Sequence, residues 1–360
     1  MPSTPTPPFS SLPLSPSGPR GNAWGLYSSQ STTSSPDQLG TLNRLTPQTT
    51  LAASKEIKYG IRISTDLPLN QPLTPCFGRQ KFSHRIVSKS PRTVNDDVLE
   101  VNTQSSTQWD GFRHFGKCVG GFGGDRRMRM GYVEEDEEKL VGYQDHKVFY
   151  NGCTQDEIQN STRNGIDGLH RANALLLVWV ENGGIVGRGV LLDYATWAEN
   201  QGRTLTPLED TKIPLSDILA VAESQHVAFH PSDILFIRSG YTKALSQLSP
   251  EDSNAYATKP AMQGIGVEAG EEMLQWIWER EFAAVAGDML AFESLPFASQ
   301  THWLHEWLLA GWGMPIGELF DLERLSEVCR EKGKWEFFFS SVPLKVPGGV
   351  ASPPNGVAIL

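Results

Sequence analysis

The sequence predicts an α/β domain. Short, mostly apolar segments typical of buried strands recur between amphipathic segments typical of helices. A composition of 39% hydrophobic and 20% charged residues is that of a globular protein, and 360 residues suffice for one large core. Seven of the first twenty residues are prolines, set among serines and threonines. We therefore expect a disordered tail over residues 1–22 and a single domain over residues 23–360.

Local patterns place the elements in chain order. Alternation, β-branched residues or short apolar runs predict strands over residues 60–69, 99–110, 184–194, 233–241, 282–288 and 334–346. Apolar spacing of three and four, or capping residues, predicts helices over residues 48–57, 214–225, 270–281, 302–311 and 321–333. Ser216 is the expected N-cap of the second of these helices, and Gly333 the C-terminal stop of the last. Prolines after residue 342 predict an irregular C-terminal tail.

Charge and cysteine usage exclude several classes of function. A net charge of −10 and a pI near 5.3 provide no basic surface, which argues against a nucleic-acid partner and against binding to an anionic membrane. The longest apolar run, from Ala174 to Val180, is too short to span a bilayer, and no leader pattern is seen. The four scattered cysteines are expected to be free thiols. We expect a cytoplasmic protein that acts on a small molecule.

A polar segment, "NTQSSTQWDGFRHFG", contains the first candidate site residues. In an extended chain, Gln104, Ser106, Gln108 and Asp110 fall on one side, and His114 follows four residues after the aspartate. Asp110 and His114 could form an acid and base pair or share a cation. Alternatively, Asp110 caps a turn in which His114 makes a local hydrogen bond.

A second cluster lies on the helix predicted from "HWLHEWLLAG". Its apolar residues form one stripe, which leaves His302, His305 and Glu306 three and four apart on another face. Glu318 follows after a turn. On a generic amphipathic helix such a polar face is simply solvated, but two histidines and a glutamate also suit a metal site.

Together these segments resemble the metal-dependent cyclase and kynurenine formamidase family. "STQWDGFRHFG" is similar to a variant of the family signature H-x-G-T-H-x-D-x-x-x-H. "AWGLY", "DQLGTLNRLTP", "GIVGRGVLLDY" and "LHEWLLAGWGMPIGELFDLERL" agree with it, so the resemblance covers roughly residues 23–350. It implies a swivelling β/β/α-type fold, with a mixed central sheet and flanking helices, that holds one or two divalent ions. It also implies a homodimer or larger homo-oligomer.

The resemblance assigns roles residue by residue. Asp110 matches the metal-binding aspartate of the family and His114 its catalytic histidine. His305 and Glu318 match the downstream metal ligands at a spacing one residue longer, with His302 as the fallback ligand. The implied cofactor is zinc or manganese. The implied activity is that of an arylformamidase, which hydrolyses N-formylkynurenine to kynurenine in tryptophan catabolism.

Two departures from the family pattern affect this assignment. Gln104 and Gln108 stand where the signature has metal-binding histidines, and a carboxamide oxygen is a poorer zinc ligand than an imidazole. The two glutamines are therefore expected to bind the ion's water or the substrate. Residues 169–178 have the character of an insertion.

An apolar wall for an aromatic substrate is expected from Trp24, Trp109 and Phe115, although aromatic residues more often lie in a core. Three alternatives to the hydrolase stay open. They are a cyclase or lactonase of secondary metabolism on the same scaffold, a non-catalytic binding protein without a metal, and a nicotinamide oxidoreductase. The last rests only on the glycine-rich segment "GGIVGRG", which precedes a strand rather than a helix.

Overall fold

The structure is a computed structural model that describes residues 5–28, 36–118, 147–167, 178–297 and 301–360. Its strands are β1 (Arg62–Ser64), β2 (Ser83–Ser88), β3 (Asn95–Glu100), β4 (Gln108–Asp110), β5 (Lys117–Cys118), β6 (Lys147–Phe149), β7 (Cys153–Thr154), β8 (Ile185–Leu192), β9 (Lys212–Ile213), β10 (Ile234–Ile237), β11 (Gly266–Val267), β12 (Ala284–Gly287), β13 (Ile316–Glu318), β14 (Glu336–Ser341), β15 (Ala351–Ser352) and β16 (Gly356–Ile359).

The α-helices are α1 (Pro47–Ala53), α2 (Gln155–Asn160), α3 (Tyr194–Asn200), α4 (Leu215–Ser224), α5 (Tyr241–Ser246), α6 (Pro250–Ala257), α7 (Glu271–Glu279) and α8 (Glu323–Lys332). A π-helix covers Glu306–Trp312, and short 3-10 helices cover Phe9–Ser11, Gly40–Arg44, Ser54–Glu56 and Tyr150–Gly152. Among the described residues, no helix combines the length and the apolar character needed to cross a bilayer.

Nine strands form one mixed sheet in the order β1-β16-β14-β8-β10-β12-β13-β4-β15. The strands β8, β10, β12 and β13 run parallel at its centre, and β10 and β12 are buried at every position. Strands covered on both faces need continuous apolar sequence, which explains the apolar runs that predicted them. The predicted α/β class, with a mixed central sheet and flanking helices, is therefore confirmed.

The glycine-rich segment belongs to this sheet. Gly187 and Gly189 lie inside β8, where a Cβ atom would stand 2.9 Å from the Leu45 side chain and 2.2 Å from the Phe337 ring, respectively. These glycines are thus required by packing, and they open no helix that could bind a dinucleotide phosphate.

Three expectations about chain segments differ from the structure. The strand predicted over residues 99–110 is split, because Asn102 holds a turn through hydrogen bonds with the backbone N–H groups of Gln104 and Ser105. The C-terminal tail is not irregular throughout, since β15 pairs with β4 and β16 lies between β1 and β14. Helix α4 begins after Pro214, so Ser216 is not its N-cap.

The expected disordered tail also differs from the structure over residues 5–22. The Phe9 ring stacks on Trp307 with centroids 5.8 Å apart, and the carbonyl oxygen of Pro7 accepts a 2.7 Å hydrogen bond from the Trp278 indole. Composition alone could not reveal this, because the surface that holds the segment comes from distant parts of the chain. The region resembling an insertion, residues 169–178, lies outside the described residues except for Val178. Three of the expected free thiols, Cys76, Cys153 and Cys329, are free and buried.

Candidate metal centre

The pairing of β4 with β13 positions the first part of the site. Glu318 lies opposite Gln108, and Ile316 lies opposite Asp110. Because side chains alternate along a strand, the polar side chains of Gln108, Asp110 and Glu318 all project from one face of the sheet. Asp110 is completely buried and Glu318 nearly so. Two carboxylates therefore face one another in a region shielded from water.

His305 completes a three-residue cluster with these carboxylates. Its Nε2 atom is 3.1 Å from Glu318 Oε1 and 3.8 Å from Asp110 Oδ2. One ligand atom from each of Asp110, His305 and Glu318 can be chosen so that all three lie within 4.8 Å of one another. These three residues are the metal ligands expected from the sequence, and the fold brings them together from β4, β13 and the turn that precedes the π-helix.

Glu293 holds His305 in place and was missed by the sequence analysis. Its Oε1 atom is 2.8 Å from His305 Nδ1. The same carboxylate accepts hydrogen bonds from the backbone N–H groups of Leu304 and His305, each 3.0 Å long, at the start of the helical segment. A carboxylate bound to the second ring nitrogen fixes the orientation of a metal-binding imidazole. The available signal was an acidic residue shortly after the predicted buried strand over residues 282–288.

The two glutamines contact the carboxylates directly. The Gln104 side-chain amide donates to Asp110 Oδ1, and the Gln108 amide donates to Glu318 Oε2 at 2.7 Å and to Gln104 Oε1 at 3.1 Å. Gln104 reaches the site from the turn that interrupts the predicted strand. Gln108 Oε1 and Asp110 Oδ2 are buried acceptor atoms without a hydrogen-bond partner among the described residues. Buried acceptors of this kind are rare unless water or a cation satisfies them.

The electrostatics of the cluster favour a bound cation. Burial, followed by the neighbouring Glu318 carboxylate, raises the pKa of Asp110 to about 8. Burial lowers the pKa of His305, but hydrogen bonds with Glu293 and Glu318 outweigh it and raise that pKa to about 10. Asp110 and His305 therefore both bind protons more tightly than usual, because the cluster has an excess of carboxylates. A divalent ion would compensate the same charge, and carboxylate and imidazole ligands suit manganese or zinc. The donor set therefore fits such an ion.

His114 lies beside the cluster with its Nε2 atom 4.0 Å from Asp110 Oδ2. Burial, and then the positive charges of Arg79 and His305, hold the pKa of His114 well below its usual range. Its imidazole is therefore neutral at neutral pH and has a nitrogen available to accept a proton. The His114 side chain is 21% exposed in the folded protein, so a small molecule can reach it.

Aromatic rings pack beside the imidazole of His305. The ring centroids of Phe115 and Phe297 lie 5.3 Å and 5.8 Å from that of the imidazole, and Trp303 packs against both phenylalanines. Phe115 was expected in such a wall, whereas Phe297 and Trp303 were not.

Trp109 does not take the place expected of it. Trp109 projects from the opposite face of β4 and packs in the core against Phe320 and Phe339, so it cannot contact a substrate in this site. Successive side chains of a strand point to opposite faces, so Trp109, which lies between Gln108 and Asp110, must project away from the site. Trp24 donates a 2.8 Å hydrogen bond to the carbonyl oxygen of Ala310 in the π-helix, and its place in an aromatic wall stays a prediction.

The remaining polar residues of the predicted helix face elsewhere. His302 precedes the helical turn, where its Nδ1 atom lies 3.0 Å from Thr301 Oγ1 and its ring stacks on Trp307. Glu306 forms a 3.5 Å ion pair with Lys117. His305 alone among these side chains joins the cluster, so the fallback ligand His302 is not needed.

Comparison with known proteins agrees with this fold. The sequence model of the family described as "Putative cyclase" matches residues 61–294. The crystal structure of a novel cyclase superposes with a TM-score of 0.69 at 27% identity, covering 90% of this chain and 96% of that one. Isatin hydrolase A from Ralstonia solanacearum gives a TM-score of 0.52 at 15% identity, covering 91% and 98%. Isatin hydrolase A from Labrenzia aggregata, bound to benzyl benzoate, gives 0.52 at 16%, covering 88% and 98%. No curated protein matches the sequence.

Proposed function

Since the chain belongs to the cyclase family, and has its fold, we propose that it is a metal-dependent hydrolase of an amide-type carbonyl in an aromatic small molecule. The observation that carries the proposal is the convergence of Asp110, His305 and Glu318, with ligand atoms within 4.8 Å of one another. An excess of buried carboxylates and an unpartnered Asp110 oxygen support a cation between them.

Each residue has a part in this proposal. Asp110, His305 and Glu318 would hold the ion, and Glu293 would orient the imidazole of His305. A divalent ion bound there supplies Lewis-acid polarisation of a carbonyl and lowers the pKa of a nearby water. His114, neutral and partly accessible, would take a proton from the attacking water and return it to the leaving nitrogen.

Within this reaction class we propose an aromatic formamide as substrate, as in kynurenine formamidase. Support comes from the rings of Phe115, Phe297 and Trp303, which offer apolar surface beside His305 for an aromatic group. Hydrolysis of such a formamide adds water across the C–N bond and gives formate and an arylamine. Isatin and simple lactones are the comparison substrates, because the structural neighbours include isatin hydrolases and a lactonase would share the same site.

The test combines metal quantification with hydrolysis. Protein purified without chelator is expected to contain a stoichiometric divalent ion and to hydrolyse N-formylkynurenine, isatin or a lactone. Asp110→Asn should lower the bound metal to background. Asp96→Asn, on the exposed strand β3, is the matched control and should keep it. Equal metal content in Asp110→Asn and wild type would refute the ligand assignment.

A non-catalytic binding protein is the second candidate, and a specific observation favours it. The amide groups of Gln104 and Gln108 donate hydrogen bonds to Asp110 and Glu318, which partly satisfies both carboxylates without any ion. Such a protein would purify without metal, would not gain activity when manganese or zinc is added, and could still bind an aromatic ligand. Metal content therefore separates the two candidates before any substrate is known.

A further inference from the structure

One cationic side chain beside the site, that of Arg79, takes no part in the function proposed above. Its Nη1 atom donates a 2.6 Å hydrogen bond to the carbonyl oxygen of Gln104, whose own side chain contacts Asp110. The guanidinium lies 4.9 Å from the centre of the Phe77 ring. Its position is therefore fixed from two sides, next to the loop that carries Gln104.

The backbone before Arg79 has an unusual conformation that sets the direction of this side chain. Phe77 and Gly78 both have positive φ angles, of 62° and 64°. A phenylalanine rarely adopts this left-handed conformation, which costs free energy and persists where the surroundings impose it. The consecutive pair turns the chain sharply, and the side chain of Arg79 then extends along the ring of Phe77 toward the site.

Among the residues that the structure describes, none with an acidic side chain forms an ion pair with Arg79. Within the described ranges no carboxylate lies within 4.0 Å of its guanidinium, and the hydrogen bond to Gln104 occupies only Nη1. The Nε and Nη2 edge thus stays available to a ligand. The positive charge of Arg79 nevertheless acts on groups of the site, since it helps to lower the pKa of His114 and opposes the larger effects that raise the pKa of Asp110.

The opposite side of the site has the opposite charge. Asp110, Glu293 and Glu318 make one side acidic, whereas Arg79 and Lys147 lie on the side of His114. The Lys147 ammonium is 5.9 Å from the centre of the Phe115 ring, so cationic character extends to the aromatic wall. A ligand that places a carbonyl near the acidic cluster and an anionic group near Arg79 would match both sides.

We propose that Arg79 is a specificity-determining residue that binds a carboxylate carried by the aromatic substrate. A guanidinium presents parallel N–H groups whose spacing matches the two oxygens of a carboxylate, and such charge-assisted pairs are stronger than neutral hydrogen bonds. The substrate class is accordingly an N-acylated aromatic amine with a carboxylate close to the scissile bond. This inference rests on the proposed hydrolase function, and its tests separate failure of the one from failure of the other.

The kinetic test compares two substrates that differ only in the carboxylate, 2-formamidobenzoate and formanilide. Wild type should prefer 2-formamidobenzoate. Arg79→Gln should reduce the ratio of the two kcat/KM values by roughly 10- to 100-fold, mainly through KM, because one charge-assisted pair is lost. Arg79→Lys keeps the positive charge but lacks the planar guanidinium with its parallel N–H groups, so it should retain part of the preference that Arg79→Gln loses. Arg85→Gln, at an exposed position of β2, is the matched control and should leave the ratio unchanged.

A proportional loss for both substrates in Arg79→Gln would overturn the proposal. In that case the side chain merely supports Gln104 or compensates the charge of Asp110. A wild-type enzyme without preference for 2-formamidobenzoate would overturn it as well, whatever the folding of the variants.

A binding measurement decides the matter if neither formamide is hydrolysed and the hydrolase proposal itself fails. By titration calorimetry, wild type should bind 2-aminobenzoate more tightly than 2-aminobenzamide, and Arg79→Gln should remove the difference. Equal binding of the acid and the amide by wild type contradicts a carboxylate site. Thermal unfolding of each variant shows whether it is folded, and the wild-type comparison keeps the test valid if Arg79→Gln is not.

Discussion

Two buried clusters of charged residues in this protein differ in how completely they are paired. In the Arg238 cluster, the guanidinium of Arg238 contacts Asp193 Oδ1 at 2.7 Å and both oxygens of Glu323 at 2.8 Å. The second oxygen of Asp193 accepts a hydrogen bond from Ser326. All four carboxylate oxygens have partners, and the pKa of Arg238 is raised despite the opposing effect of burial, because its two carboxylates outweigh it.

The candidate metal centre has the opposite character. It gathers Asp110, Glu293 and Glu318 around one imidazole, and Asp110 Oδ2 has no hydrogen-bond partner among the described residues. Excess charge that is expensive to bury is expected at functional sites rather than at structural ones. The contrast indicates that the Arg238 cluster stabilises the junction of β10, α3 and α8, whereas the candidate metal centre has an excess of carboxylates that a bound cation would compensate.

The largest expected effect is on folding. Arg238→Met should lower the free energy of unfolding by about 3–5 kcal/mol, because it leaves the buried carboxylate of Asp193 without its cation and removes the partner of the partly exposed Glu323. Asp110→Asn in the metal-free protein should cost much less, since a carboxyl group with a pKa of about 8 is already mostly protonated at neutral pH and the amide oxygen of asparagine can still accept from Gln104. Urea unfolding of both chelator-treated variants measures the difference. If Asp110→Asn were as destabilising as Arg238→Met, the distinction between the clusters would fail.

The next effect is on turnover and concerns only the metal centre. His114→Ala should lower kcat by roughly 10² to 10⁴-fold, the range for loss of a general acid or base, with little change in stability. His302→Ala is the matched control, because that imidazole stacks on Trp307 outside the cluster. The kcat values of both variants are measured by steady-state kinetics on the substrate that the wild type hydrolyses best. Comparable losses in both variants, or none in His114→Ala, would remove His114 from the proton transfer.

The local patterns predicted most of the fold, because the central strands and helices repeat apolar residues with a clear period. Strand β8 and helices α7 and α8 lie within the predicted segments. The turn around Asn102 was not predictable, since the alternation of residues 99–110 fits a strand equally well and a single side chain decides between the two. The wrapped N-terminal segment and the C-terminal strands were missed because their partners are remote in sequence.

The candidate site, like the fold, was predictable where local patterns or the family resemblance apply, and not where contacts remote in sequence decide. Spacing placed Asp110 near His114, and the family resemblance selected His305 and Glu318, which the structure brings together. Periodicity could also have excluded Trp109, since alternation with Gln108 and Asp110 puts it on the other face. Glu293 follows a predicted buried strand, which marks it as a candidate site residue, but this position does not reveal its role, because the role depends on contact with His305 in the tertiary fold.

The smallest expected effect tests how Glu293 serves the metal centre. Glu293→Gln keeps an oxygen for the backbone N–H groups of Leu304 and His305 but loses the charge that holds the imidazole. Loss of such a supporting carboxylate typically weakens metal binding by about 10- to 100-fold. Glu306→Gln is the control, since Glu306 directly follows His305 in sequence but forms its ion pair with Lys117.

Competition against a chromophoric chelator measures the affinity of both variants for manganese and zinc. A weaker affinity in Glu293→Gln alone would show that the excess negative charge of the centre acts through the orientation of His305. Equal weakening in Glu306→Gln would mean that any nearby negative charge attracts the ion. An unchanged affinity in Glu293→Gln would mean that its hydrogen bonds to the backbone, rather than its charge, place the histidine, and the charge contrast with the Arg238 cluster would then rest on Asp110 and Glu318 alone.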